Sequence, residues 1–292
     1  MRNFGLKIQP KRPTDYFLGA LNETEINPSG DWLSYTPIKE YQNQDGLELM
    51  NCVTMSALNC LETLHNRLYG FEMNWSDRFT SKASNTTTRG NWMTIVGDSI
   101  RHDGLVLEED YPSDWTSWEN YYQDIPQELK DKGLASLKQY KINYEWVIPT
   151  NQATLEYALK ISPIQVSVHA WENPVNGIYQ RTGKALNHAV TLIKAVHEEY
   201  WVIFDHYDAT IKKLAWDYII NHGFKYSLEK INMKFIKERG KSAVYLIKRN
   251  ELFPISGGVD YLNLEVDWSA VKEVDNLDSY TVSSKKLYTF IR

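Results

Sequence analysis

At Pro163 the hydrophobic period of the chain changes, and that change narrows the folds open to it. From Asn51 to Tyr69 the apolar residues Ala57, Leu58, Leu61, Leu64 and Leu68 recur at three- and four-residue intervals, the stripe of a helix buried along one face. Gly70 supplies its stop. The same spacing predicts helices over residues 92–102, with Met93, Val96 and Ile100 inward, and over 127–139 and 152–160. After Pro163 the period is two, and Ile164, Val166, Val168 and Ala170 share one face. Residues 189–196 and 200–204 continue as strands, joined by His197-Glu198-Glu199 in a hairpin. Helices first and strands second predict an α+β protein with two lobes.

The 292 residues suffice for one large domain or two modest ones. Residues 1–30, polar and broken by Pro10, Pro13, Pro28 and Gly30, read as an irregular N-terminal arm. Residues 31–227 carry the helical and strand patterns. Residues 228–292 form a C-terminal extension, in which basic and apolar residues alternate from Ile231 to Lys248 before an acidic, loop-like stretch around Gly257-Gly258. With 32 Lys+Arg against 37 Asp+Glu, the formal charge of −5 offers no basic face for nucleic acid. No run approaches the roughly 20 apolar residues of a spanning helix. The first residues lack the apolar segment and small-residue cleavage site of a secretory signal. A cytoplasmic protein without nucleic-acid or membrane partners is the expectation. Cys52 and Cys60, about 12 Å apart along one helix, are too distant to pair, which fits a reducing compartment.

Several apparent motifs fail. Gly240-Lys241-Ser242 ends like a phosphate-binding loop, but Phe235 stands where its first glycine belongs. His197-Glu198-Glu199 starts like a zinc-protease helix, yet position 201 is Trp rather than the second histidine. Asp205-His206-Tyr207-Asp208 has ligand-type side chains, but strand alternation sends Asp205 and His206 to opposite faces. No metal site is expected.

Nucleophilic chemistry is better represented. Cys52 opens the long striped helix, where unpaired amides and the helix dipole favour a thiolate. A base is available in His188, at the mouth of a strand, and seventeen residues later Asp205 ends the next strand, where a carboxylate could fix the imidazole tautomer. Cys60, in mid-helix, reads as structural.

Other segments extend this pattern in order. Asp31-Trp32 and Tyr35-Thr36-Pro37-Ile38-Lys39 enter the helix; Cys52-Val53-Thr54-Met55-Ser56-Ala57 begins it. Gly90-Asn91-Trp92 through His102-Asp103-Gly104-Leu105 leads to Glu109-Asp110-Tyr111-Pro112. Ser162-Pro163-Ile164-Gln165-Val166-Ser167-Val168, Asn187-His188-Ala189-Val190 and Tyr200 to Tyr207 follow. Together, over about residues 31–227, these segments resemble the papain family of cysteine peptidases. The flavour is that of phage and bacterial papain-like proteins, which share a Pro-rich arm and a stretch like Lys212-Lys213-Leu214-Ala215-Trp216-Asp217.

The resemblance implies a papain-like fold, with a helical lobe around the nucleophile helix and an antiparallel β lobe. It implies Cys52, His188 and Asp205 as a triad forming a thioester acyl-enzyme, with no cofactor and a peptide or protein as substrate. Trp92, Met93, Ser167 and Asn187 carry over as substrate-binding residues. For the oxyanion-holding glutamine Gln42 and Gln44 compete, and Gln42 is preferred. The departures are the missing cysteine before the nucleophile, aspartate where the family has asparagine, Tyr207 where a shielding tryptophan is usual, and no propeptide of family length. Asp205→Asn is expected to be tolerated. The alternatives are an inactive papain-fold binding or virion-structural module, or a non-peptidase amide hydrolase or transamidase using the same triad.

Overall fold

The computed structural model describes residues 3–8, 10–21, 24–44, 46–231, 234–241, 244–248, 251–255, 271–277 and 281–282. The stretch around Gly257-Gly258 lies outside them. The chain divides into two compact units, Met1–Leu137 with Ile142–Glu229, and Lys138–Lys141 with Lys230–Arg292. No helix is long and apolar enough to cross a membrane.

After residues 1–42 the chain forms a small hairpin, β1 (Asn43–Gln44) and β2 (Leu47–Glu48), followed by helices α1 (Cys52–Tyr69), α2 (Asp77–Ala83), α3 (Met93–His102), α4 (Trp118–Tyr121) and α5 (Gln127–Gln139). Then come β3 (Tyr140–Val147), α6 (Gln152–Ile161), β4 (Ile164–Val168), β5 (Ile178–Tyr179), β6 (His188–Val196), β7 (Tyr200–Asp205), β8 (Thr210–Ala215) and β9 (Gly223–Lys230). The strands from β3 to β9 form one sheet in the order β3-β9-β4-β6-β7-β8-β5. Its centre is antiparallel, and β6 and β7 make the expected hairpin, with the turn at Glu198 in the left-handed region. The helices-then-strands pattern thus gives a mixed α+β unit, with a helical part and a sheet part.

Helix α1 is the axis of this unit. Its apolar stripe explains one buried face, but Thr54, Ser56, Asn59, Glu62, Thr63 and His65 are buried as well. Buried polar groups need partners, and several here tie the first turn to the sheet. Gln165 Nε2 on β4 donates to Val53 O (2.7 Å) and Ser56 Oγ (2.8 Å), Tyr226 OH on β9 donates to Gln165 Oε1 (2.9 Å), and Thr191 Oγ1 on β6 donates to Ser56 O (3.2 Å). The nucleophile candidate is therefore held against the strand that carries His188. At the other end Gly70, at φ 78°, closes the helix through its N–H to Asn66 O (2.9 Å).

The stretch 1–30, read from sequence as an irregular arm, lies within the first unit. Phe17 bridges to Trp146, Leu6 bridges to Asn91, and Phe4 and Leu6 are buried. Each buried apolar side chain contributes about 1.5–3 kcal/mol, so this segment belongs to the packed unit despite its polar composition.

In the second unit β10 (Lys234–Glu238), β11 (Val244–Lys248) and β12 (Glu251–Ile255) pair antiparallel. β13 (Lys272–Val274) runs parallel to β10 and β14 (Thr281–Val282) parallel to β12. The basic-apolar alternation of the extension thus falls on β10 and β11 of a five-stranded sheet, with Lys237 paired to Glu273 across β10 and β13 at 2.7 Å.

Candidate active site

Cys52 is the first residue of α1. Asn51 before it does not cap the helix; its Nδ2 donates instead to Tyr121 OH (3.0 Å). The backbone amides of Ala189 and Val53 act on the Cys52 thiol to favour its anion, which places the sulfur beside the residue that follows His188. His188 opens β6, opposite Val168. Its Nε2 lies 2.8 Å from Asp205 Oδ1, and its Nδ1 is buried without a hydrogen-bond partner among the described residues. That nitrogen is the one still able to take a proton.

Asp205 is the most densely bonded side chain of the site. Besides His188, Oδ1 accepts from Tyr207 N–H (3.1 Å), while Oδ2 accepts from Trp171 Nε1 (2.7 Å) and from Lys212 Nζ (2.7 Å). Full burial raises the cost of its charge, but His188, then Lys212 and His206, outweigh that cost and hold the carboxyl well below the ordinary range. Trp171 also meets the His188 ring edge-on, with centroids 6.0 Å apart. The shield over the His188–Asp205 bond therefore comes from Trp171. Tyr207 sits 6.2 Å from the imidazole and accepts at its OH from Asn43 Nδ2 (2.5 Å).

The groove over these residues is occupied by the chain itself. Phe4 N–H donates to Asn187 O (3.0 Å), Asn91 N–H to Gly5 O (2.8 Å), and Lys7 N–H to Asn91 O (2.8 Å). The Phe4 carbonyl accepts from Gln42 Nε2 at 2.7 Å, and the Phe4 ring lies 4.9 Å from that of His188. Residues 4–7 thus form a strap bound mainly through backbone groups. Gly5, at φ +111°, has no room for a side chain, since a Cβ there would meet Met50 O at 2.1 Å.

No family model matches the sequence. Macrodontain-1 of Ananas macrodontes is 23% identical over 192 residues, spanning 61% of this chain and 81% of that protein. Among solved structures, the bromelain protease of Ananas comosus in complex with the E64 inhibitor aligns at a TM-score of 0.51 and 19% identity, over 68% of this chain and 98% of that one. Digestive procathepsin L 3 of Tenebrio molitor larval midgut aligns at a TM-score of 0.51 and 14% identity, over 73% of each chain. The first of these neighbours and the second share one fold with this chain, the papain-like fold.

In the candidate site the two glutamines left open by the sequence part company. Gln42 is fully buried and faces the Phe4 carbonyl, sharing its amide with Glu48 Oε1 (2.6 Å); Gln44 is exposed. Asn187 meets the strap through its backbone carbonyl, while its side chain clasps the backbone of Ala170. Trp92 is 41% exposed beside Lys7, whose Nζ lies 4.9 Å from the ring centroid. Met93 and Ser167 are buried, Ser167 Oγ donating to His222 O (3.0 Å). Asn91, Trp171 and Lys212 also touch the candidate site, through the strap and through Asp205. Asn91 lay within a motif noted in the sequence, but its role is carried by backbone atoms that leave no mark on residue type.

Two sequence expectations need correction. The helix N-terminus does not lower the Cys52 thiol here: burial pushes it up, Glu48 and Asp205 add to that, and the amides of Ala189 and Val53 only partly oppose them. His206 does not point away from Asp205, because β7 ends at Asp205 and alternation ends with it. Ligand atoms of His188, Asp205 and His206 all lie within 4.8 Å of one another. A metal does not fit this triplet, since Asp205 already accepts from four donors, one the Lys212 ammonium.

His206 is fully buried with neither ring nitrogen partnered among the described residues, and burial, then the charge of His188, lowers its pKa to about 3. A histidine depressed in the folded state adds stability that is present above its unfolded value near 6.5 and lost as pH falls toward the folded value. His206→Leu is therefore expected to change stability little at pH 7.5, yet to be more stable than the parent by about 2 kcal/mol at pH 5. Urea unfolding of both proteins at the two pH values measures this; an identical difference at both would refute it.

Proposed function

We propose that the chain is a cysteine hydrolase acting on peptide bonds. Cys52 is the nucleophile, His188 carries its proton through Nδ1, and Asp205 is a positioning residue that holds His188 by Nε2. The Gln42 amide and the α1 N-terminus stabilise the oxyanion. The attack forms a thioester with release of the amine, which takes the proton from His188, and water then hydrolyses the thioester. The observation that carries this reading is the strap: a peptide backbone lies along Asn91 and Asn187 with a carbonyl oxygen on Gln42 Nε2. A groove that binds an extended peptide by its main chain, beside a thiol and an imidazole–carboxylate pair, is suited to peptide amides in particular.

The test is hydrolysis of a fluorogenic peptide library by the parent, Cys52→Ala and His188→Ala. Cys52→Ala is expected to abolish turnover and His188→Ala to lower it at least about 100-fold. Turnover by folded Cys52→Ala protein would overturn the assignment.

A further inference from the structure

Residues 43–51 separate Gln42 from Cys52, and the β1–β2 hairpin lies among them. The two strands pair antiparallel, with Asn43 opposite Glu48 and Gln44 opposite Leu47. The chain thus returns on itself, and Leu49 N–H reaches Gln42 O at 3.3 Å. This register brings Glu48 back beside the glutamine from which the hairpin set out. Its Oε1 accepts from Gln42 Nε2 (2.6 Å) and from Met50 N–H (3.1 Å). Met50 has a φ of 55°, a left-handed conformation uncommon in a residue other than glycine, and stands two residues before the nucleophile. One carboxylate oxygen therefore ties the Gln42 side chain to the strained backbone that leads into α1.

A side-chain amide can present either its oxygen or its NH₂ group to a given neighbour, and its partners decide which. Gln42 Nε2 donates to Phe4 O (2.7 Å) and to Glu48 Oε1. Turned over, the amide would set its own oxygen against both of these acceptors. A carboxylate only accepts, so Glu48 admits the first orientation and excludes the second. The main-chain anchors of Gln42, its N–H on His206 O (3.0 Å) and its O on Leu49 N–H, fix where the residue stands but not how its amide is turned. Gln42 Oε1 has no hydrogen-bond partner among the described residues, so nothing at that end selects the orientation. When the strap leaves the groove, Phe4 O leaves with it, and Glu48 is the acceptor that stays.

We propose that Glu48 is a positioning residue, which locks the Gln42 amide with an N–H directed at the place marked by Phe4 O, where the oxyanion of a bound peptide forms. Its consequence for turnover rests on the cysteine hydrolase reading; its geometry rests on the Glu48–Gln42 contact alone. The charge of Glu48 is no help to the reaction. After burial, Glu48 is among the causes that raise the Cys52 thiol, and a negative charge beside the donor opposes an oxyanion as well. Position 48 therefore requires an acceptor and not a charge. In Glu48→Gln the new amide keeps an oxygen for Gln42 Nε2 and Met50 N–H, the latter holding that oxygen on the correct side, and the opposing charge is gone. In Glu48→Ala both donors lose their acceptor.

The test uses the full chain, isotopically labelled for NMR, with the Gln42 side-chain amide identified by its loss in Gln42→Ala. Exchange of its protons with water is expected to be slow in the parent, within about three-fold of that in Glu48→Gln, and at least about ten-fold faster in Glu48→Ala. With a fluorogenic peptide, Glu48→Ala should lower kcat at least about ten-fold, because the misdirected donor acts on the transition state. Glu48→Gln should hold kcat within about three-fold of the parent or above it, and Gln44→Ala should leave kcat unchanged. Unaltered amide exchange in folded Glu48→Ala protein would overturn the role of Glu48, as would a loss in Glu48→Gln as deep as that in Glu48→Ala. A Gln42 amide held by Glu48 in this way, in a chain that hydrolyses no peptide, would support that role and overturn the hydrolase.

Discussion

Gly5→Ala raises the rate at which iodoacetamide alkylates Cys52 by about ten-fold or more, in a Cys60→Ala background at pH 7.5. The strap passes Met50 so closely at Gly5 that a Cβ there would sit 2.1 Å from a backbone oxygen, at a φ of +111° that side chains resist. A side chain forced into that backbone conformation destabilises the seated strap by about 1–3 kcal/mol. Every 1.4 kcal/mol multiplies the open population by about ten. Water then reaches Cys52, the burial that raises its thiol is relieved, and the amides of Ala189 and Val53 still favour the anion. Alkylation followed by mass spectrometry gives the rate. An unchanged rate in folded Gly5→Ala protein would mean that something other than the strap shields the sulfur.

Asp205→Asn costs about 3–5 kcal/mol of stability and lowers peptide turnover about 100-fold or more. The sequence alone suggested tolerance, because asparagine occupies this place in the resembled family. The surroundings here are different. Asp205 accepts from His188, Tyr207 N–H, Trp171 and Lys212 at once. An amide has one acceptor oxygen for these donors and adds two donors of its own. Lys212, only 7% exposed, would keep Asp208 as its remaining carboxylate. Asp205→Asn combined with Lys212→Met should therefore regain much of the lost stability in urea unfolding, without regaining turnover. Full turnover by the single variant would show that the carboxylate charge is dispensable.

How far the sequence reaches depends on where a residue's partners lie. Helix α1 and the β6–β7 hairpin were legible because their apolar periods are long and their ends carry Gly70 and a three-residue turn. Cys52, His188 and Asp205 stood out because each occupies a helix start or a strand end, where side chains meet other segments. Trp171 did not, since it lies in a loop after β4; Lys212 headed a stretch noted in the sequence, but nothing local links either of them to Asp205. Gln42 and Gln44 differ by two residues and the same chemistry; only burial separates them. Composition misleads most at the strap, where Phe4 and Leu6 are the apolar anchors of a polar stretch and, Lys7 apart, the rest of its binding is main-chain.

The strap is also a tethered competitor. Lys7 is joined to Arg12, and Arg12 is fastened to Asp98 at 2.6 Å, so the link between bound strap and fixed arm is four residues long. A short tether gives its end an effective concentration on the order of millimolar. A free peptide of equal affinity would displace half of it only at a similar concentration, so under the proposed function dilute peptide substrates would meet an occupied groove and register a high apparent KM. Cutting or pulling the link near residue 8 turns that intramolecular contest into an ordinary one between two peptides in solution, and the threshold falls without any change in the groove.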